Sequence, residues 1–185
     1  MQPNPTTYAP ASFFRRALAY FIDSILIGLA TAPAYYFLIY EGSLYAGIAI
    51  IVVGGAYKPL MEARYGWTLG KLSQRIQIVD VVTGVKPDLN QSLLRYLPWA
   101  IGVLTGILVT IRVFEQPDFD EVKDIFQYVE AMQKSSLSEN FFVRNVSSLP
   151  IFSSVWMISD PLRQTLHDKL AKTLVVAMPE ESVTP

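Results

Sequence analysis

Three groups of residues in this chain have the types and spacing to do chemistry. Asp23 interrupts the run Ala17 to Tyr40, twenty-four residues that carry no other charge. Arg16 lies seven positions earlier, so the two side chains project from one helical face, about 10 Å apart along the axis. A lone carboxylate at membrane depth costs roughly 2.5–3.5 kcal/mol on insertion scales, so it is paired, hydrated or protonated. Asp23 therefore reads either as an ion or proton site, or as half of a buried pair that locks the first helix to another element. His167-Asp168 evokes a metal or general-base pair. With one histidine and no cysteine the usual zinc ligand set cannot be assembled, and no nucleophile stands at a telling spacing. No enzymatic activity, metal or cofactor is expected. Lys58 and Glu62 are i,i+4 neighbours flanking Pro59. They read as a pair within one helix, near the membrane boundary, with a kink at the proline.

Composition narrows the class of molecule that holds these groups. Of 185 residues, 51% are hydrophobic and 17% charged, against about 25% charged in soluble domains. The mean hydropathy is +0.31. A net charge of −1 argues against nucleic acid as a partner. Gly66 to Lys71 resembles a P-loop only superficially: three residues separate the glycines and Leu72 stands where Ser or Thr belongs. A small integral membrane protein remains, with the lipid bilayer as its first partner.

Four elements must then position the candidate residues. Charge-poor runs at Ala17–Tyr40, Gly42–Tyr57, Tyr96–Ile111 and Asn145–Ser159 predict membrane helices over 14–40, 43–63, 93–113 and 141–159. Arg95, Arg112 and Arg144 snorkel at the ends. Gly102 and Gly106 permit close helix approach. Ten basic residues, among them Arg15, Arg64, Arg75 and Lys172, precede the first helix, lie between the second and third, or follow the fourth. The positive-inside bias puts both termini and the 64–95 loop in the cytoplasm. The first apolar run is too long for a signal-peptide core and contains an acid, so it reads as an uncleaved span. The organisation expected is a flexible tail over 1–13, a membrane domain over 14–177 and a C-terminal tail over 178–185.

Outside the bilayer, Ile76–Val82 is β-rich with a turn at Thr83-Gly84. A β-hairpin returning through Val85-Lys86 is expected, with Thr173–Val176 as a third strand. Asp88 and Gln91 have capping-box spacing ahead of helix three. Asp160-Pro161 predicts a short helix over 161–172. The segment 115–140 holds seven acids and two lysines between Glu115 and Asn140. Asp118 to Glu121 reads as another capping box. Val122, Phe126, Val129 and Met132 recur at helical spacing, giving an amphipathic helix over 119–134. That helix either lies on the membrane surface or helix ends, or docks a partner. The fold class is thus an all-α membrane protein of four spans, with a small cytoplasmic β-hairpin element and an extracytoplasmic amphipathic helix.

Three blocks of this sequence resemble the RDD family of small bacterial membrane proteins. The first is Arg16-x-x-Ala19-x-x-Ile22-Asp23. The second is Gly66-Trp67-Thr68-Leu69-Gly70-Lys71, continuing through Ile76–Asp80, Gly84 and Leu94-Arg95. The third runs from Arg163 to Val176 and includes His167 and Asp168. The family's arginine and two aspartates map onto Arg16, Asp23 and Asp168. The sequence departs from the family in having Leu162-Arg163 where two basic residues are common, and in a longer 115–140 segment. The resemblance implies the bacterial cytoplasmic (inner) membrane and cation/proton transport. Asp23 would then be the carrier, Arg16 its charge partner, and Asp168 would lie at the cytoplasmic mouth, with Glu62 as a further candidate. The alternative lock joins Arg16 to Asp168. Two functions follow: a transporter, which with four short spans calls for a homo-oligomer, or an accessory or assembly subunit of a membrane complex docked through 115–140.

Overall fold

The computed structural model describes residues 9–179, so the expected tails lie largely outside the described residues. The order is α1 (Phe13–Ile39), α2 (Leu44–Tyr65), α3 (Leu69–Ser73), β1 (Ile76–Asp80), α4 (Leu89–Phe114), α5 (Ile125–Lys134), α6 (Phe141–Asn145), α7 (Leu149–Val155), α8 (Leu166–Leu170) and β2 (Thr173–Ala177). Four helices are long and apolar enough to cross a membrane: α1, α2, α4 and the run Phe141–Ile158. That last run passes from α6 to α7 through a 3-10 turn at Val146–Ser148 and ends, after α7, on another at Trp156–Ile158. Pro150 explains the first interruption, because it has no N–H to donate back along the helix. Helix α4 starts where the Asp88–Gln91 box places it: Gln91 N donates to Asp88 Oδ1 at 2.7 Å and Asp88 N to Gln91 Oε1 at 3.1 Å.

Two compact units divide the chain. The first comprises Met1–Leu26, Tyr57–Leu97 and Ile151–Pro185, and contains the small sheet. The β element is not the hairpin expected. β1 pairs antiparallel with β2, from Ile76↔Ala177 to Asp80↔Thr173. The local return fails because Asp80 Oδ1 accepts from Val82 N and Thr83 N at 2.8 and 2.7 Å, curling the chain at once. Only two residues then precede Pro87, which cannot donate to a ladder. The far edge of β2 carries the chain start: Pro10 bridges Val176, and Ala11 N donates to Val175 O at 2.9 Å. Ile76, Ile78 and Val175 pack with Ala11 and Ala19 on one face, and Val79, Leu174 and Val176 on the other.

The helix expected over 161–172 is only α8. Asp160 Oδ1 accepts from Leu162 N and Gln164 N, both at 3.1 Å, and Arg163 is left-handed at φ 51. A turn forms instead, and Thr165 becomes the N-cap, with Asp168 completing its capping box.

The second unit comprises Ile27–Ala56 and Pro98–Pro150. Leu38, Val109, Val113 and Tyr128 form its core. The amphipathic helix begins later than expected. Asp118 makes no side-chain cap and supports only the 3-10 turn Phe119–Glu121. Asp124 is the true cap of α5, accepting from Phe126 N and Gln127 N at 2.8 and 2.9 Å. Thr110 and the buried Tyr128 hydroxyl share a hydrogen bond of 2.9 Å that ties α5 to α4.

Candidate functional site

Asp23, Glu62, Arg95 and Asp168 are all buried in the first unit. Asp23 is fully buried on α1, and α2 with the segment after it brings donors to it. Thr68 Oγ1 donates to Oδ2 at 2.6 Å, Gly70 N to Oδ1 at 2.9 Å, and Tyr57 Oη to Oδ1 at 3.3 Å. Gly66, at φ +79, turns the chain out of α2, and Thr68 then caps α3. Gly70 has to be glycine for a different reason. A Cβ there would stand 2.1 Å from Ala19 O and 2.8 Å from Asp23 Cγ, so only a bare backbone can come this close to α1.

The other charges form a chain of alternating sign. Lys71 Nζ lies 2.9 Å from Glu62 Oε1, and Arg95 Nε lies 3.0 Å from Glu62 Oε2. Arg95 Nη1 also pairs with Asp168 Oδ1. Asp168 Oδ2 takes Arg16 Nη1 at 2.9 Å. Arg16 Nη2 reaches Val175 O at 3.3 Å, and Arg95 Nη1 donates to Thr173 Oγ1 at 2.7 Å. The chain Lys71–Glu62–Arg95–Asp168–Arg16 thus links α3, α2, α4, α8 and α1. The low local dielectric makes each contact strong and each unpaired member costly.

Asp168 sits on α8, outside the spans. Burial would raise its pKa, but Arg95 foremost, with Arg16 and the Thr165 N–H, hold it well below the usual carboxylate range. His167 has the opposite character: burial pushes its pKa down to about 4, and Asp168 only partly opposes this. Its Nδ1 lies 2.7 Å from Ser153 Oγ. Ser153 Oγ also accepts from His167 N at 3.2 Å. The Nε2 atom stands 3.9 Å from Asp168 Oδ1. This buried pair packs the fourth span against α8.

The predicted residues are therefore only partly brought together. Arg16 meets Asp168, and Asp23 has its own hydrogen-bond set. Glu62 pairs with Lys71 and Arg95, and the ammonium of its helix neighbour Lys58 lies 4.5 Å from the Tyr20 ring centroid. In the second unit Val122 and Met132 pack onto the Tyr128 cluster. Phe126 is 83% and Val129 42% exposed. Arg95, Thr68, Gly70, Tyr57, Lys71 and Ser153 are participants that sequence reasoning did not single out. The Asp88–Gln91 capping box carried a signal for Arg95: a helix that starts at Leu89 places it six residues in, where it is buried rather than snorkelling at a helix end as expected.

The sequence model of the RDD family matches residues 10–172. The chain belongs to the RDD family. The match takes in Arg16, Asp23 and Asp168 and covers most of the chain. No curated protein and no solved structure matches this RDD chain. With four helices able to span, it is a multi-pass membrane protein of this family.

Proposed function

We propose that this RDD-family protein exchanges cations or protons across the bacterial cytoplasmic membrane, with Asp23 as the carrier carboxylate. One observation carries the reading. Asp23 is fully buried in a span, and its hydrogen bonds come from neutral groups, two hydroxyls and an amide. A carboxylate held this way can take up and release a proton or an alkali cation without breaking a guanidinium pair. Hard cations favour the oxygen ligands that Asp23, Thr68 and Tyr57 offer. Asp168 and Glu62 are committed to arginine and lysine, which suits them to hold the frame. Arg16 joins that frame through Asp168 rather than serving Asp23.

The basic residues at 15–16, 64–95 and 163–172 support cytoplasmic termini. Four spans make a thin wall for a path, so the transport reading calls for a homo-oligomer. The protein moves its substrate without converting it, and needs no cofactor.

Cation-driven proton flux in proteoliposomes tests this, comparing wild type with Asp23→Asn under Na⁺, K⁺ and Li⁺ gradients. Flux lost in a folded Asp23→Asn protein is the expected result. Flux retained in that variant removes Asp23 as carrier, and no flux from intact wild type removes transport. A second reading, an accessory or assembly subunit, draws on Phe126 and Val129, which stand exposed on the acidic α5 segment. A stoichiometric hetero-partner on native purification, lost in Phe126→Ser, would favour it.

A further inference from the structure

The first unit contains the same structural phrase twice. Thr68 caps α3, a helix of five residues, and Thr165 caps α8, also of five residues. A left-handed basic residue follows each helix, Arg75 at φ 52 and Lys172 at φ 54. A strand of five residues follows each of those. The offset is constant at ninety-seven positions: 68 to 165, 75 to 172, 80 to 177.

The hydrogen bonds repeat with the offset. Leu72 N to Thr68 O, 2.8 Å, matches Lys169 N to Thr165 O, 3.0 Å. Arg75 N to Leu72 O, 2.9 Å, matches Lys172 N to Lys169 O, 3.1 Å. Met178 N to Arg75 O, 2.9 Å, matches Val81 N to Lys172 O, 3.0 Å. The strand register is centred on Ile78↔Val175, so a local two-fold relates the two modules.

The residues that the modules expose point to a ligand. The left-handed region strains any residue with a Cβ, and glycine or asparagine fills it most cheaply. Among the described residues three non-glycines occupy it, and all three are basic and exposed: Arg75, Arg163 and Lys172. Strain kept at such positions is a pointer to use. Each module also exposes a leucine at the same place, Leu69 and Leu166, both 45% exposed, with Leu72 and Leu170 exposed nearby. The other exposed charges of this unit are Arg15, Arg64, Lys86 and Lys169, against one acid, Asp88, among the described residues. Leucine beside base, outside the spans of a membrane protein, is the composition of a surface that rests on anionic lipid.

We infer that the paired modules, together with the neighbouring Arg163, form a duplicated seat for anionic phospholipid headgroups, with Arg75, Arg163 and Lys172 contacting the phosphates and the exposed leucines entering the acyl boundary. This does not depend on whether Asp23 transports.

The test is thermal unfolding of the purified full-length protein in mixed micelles, with phosphatidylcholine alone or with added phosphatidylglycerol. Wild type is expected to gain Tm with phosphatidylglycerol, and to lose the gain in high salt. The triple variant Arg75→Asn, Arg163→Asn, Lys172→Asn is expected to match or exceed wild type in phosphatidylcholine, because asparagine suits the left-handed backbone. It is expected to lose the phosphatidylglycerol gain, as each base removed weakens headgroup binding roughly fivefold. The charge-keeping pair Arg75→Lys with Lys172→Arg retains it. A full gain in the triple variant overturns the inference, and so does a wild type indifferent to phosphatidylglycerol. A triple variant that no longer folds in phosphatidylcholine overturns it too, since the bases would then hold the fold rather than a lipid.

Discussion

Arg95 is the residue on which two carboxylates meet, presenting Nε to Glu62 and Nη1 to Asp168. A lysine carries the same charge but has no planar fork. Arg95→Lys should therefore keep one partner and strand the other, lowering stability by about 3 kcal/mol, as breaking a buried pair does. Urea unfolding in detergent would check this. Asp168→Asn should cost at least as much, because an amide takes from Arg16 the carboxylate it pairs with and leaves Arg95 to share Glu62 with Lys71. In a double-mutant cycle, Arg16→Gln with Asp168→Asn should fall short of the sum of the single losses. His167 adds a pH dependence of definite sign. Its folded pKa of about 4 lies below the ordinary 6.5, so the unfolded chain binds the proton first. Stability from the neutral ring is complete above pH 6.5 and declines towards pH 4, by up to about 3 kcal/mol. The depressed Asp168 acts in the same direction at lower pH, its contribution lost as pH falls below the ordinary carboxylate value. His167→Asn, whose amide can hydrogen-bond Ser153 in either direction, should flatten the slope of Tm between pH 4 and 6.5.

At the level of elements, α3 depends on one hydrogen atom. Gly70→Ala would drive a methyl into the Ala19 carbonyl on α1, which cannot yield as a flexible side chain would. Overpacking of this kind costs about 1–3 kcal/mol. Asp23 would lose the Gly70 and Thr68 donors together, so a cysteine-free chain carrying a single reporter thiol at position 23 should become readily labelled once Gly70 is Ala. Thr165→Ala should cost about 1 kcal/mol, as the loss of a cap does. Thr68→Ala should cost more, because that hydroxyl also serves Asp23. The spans were legible because charge-free runs state their own length, and Asp23 was legible as an exception within one. Its donors were not, since no spacing ties position 23 to positions 68 and 70. The β2 stretch was visible as β-prone, but its pairing with β1 is decided by tertiary packing. The local turn at Asp80 removed the nearer partner. Asp118 misled because its spacing to Glu121 imitates a box, whereas Asp124 precedes the residues whose N–H groups need capping.

For the whole molecule, exposed charge is sorted by unit. Bases dominate the exposed charges of the unit holding the sheet, and acids such as Asp118, Asp120 and Glu121 gather in the other. Reporter fusions at Val82 and at Asp120 should accordingly report opposite sides of the membrane, and the same side for both would reverse the charge argument. The sheet joins strands from distant parts of the chain, and that has a bearing on biosynthesis. As the polypeptide leaves the ribosome, α1, α2 and α4 can enter the bilayer while Arg16 and Arg95 still lack Asp168, and β1 waits with its inner edge bare. The segment that follows all four spans, α8 and β2, supplies the missing carboxylate and the missing strand in one stroke. A chain stopped after residue 160 should therefore insert and yet be recognised by membrane proteases as unfinished. Residues 161–177 supplied as a separate peptide should rescue it, so that emergence of this segment acts as the checkpoint for survival.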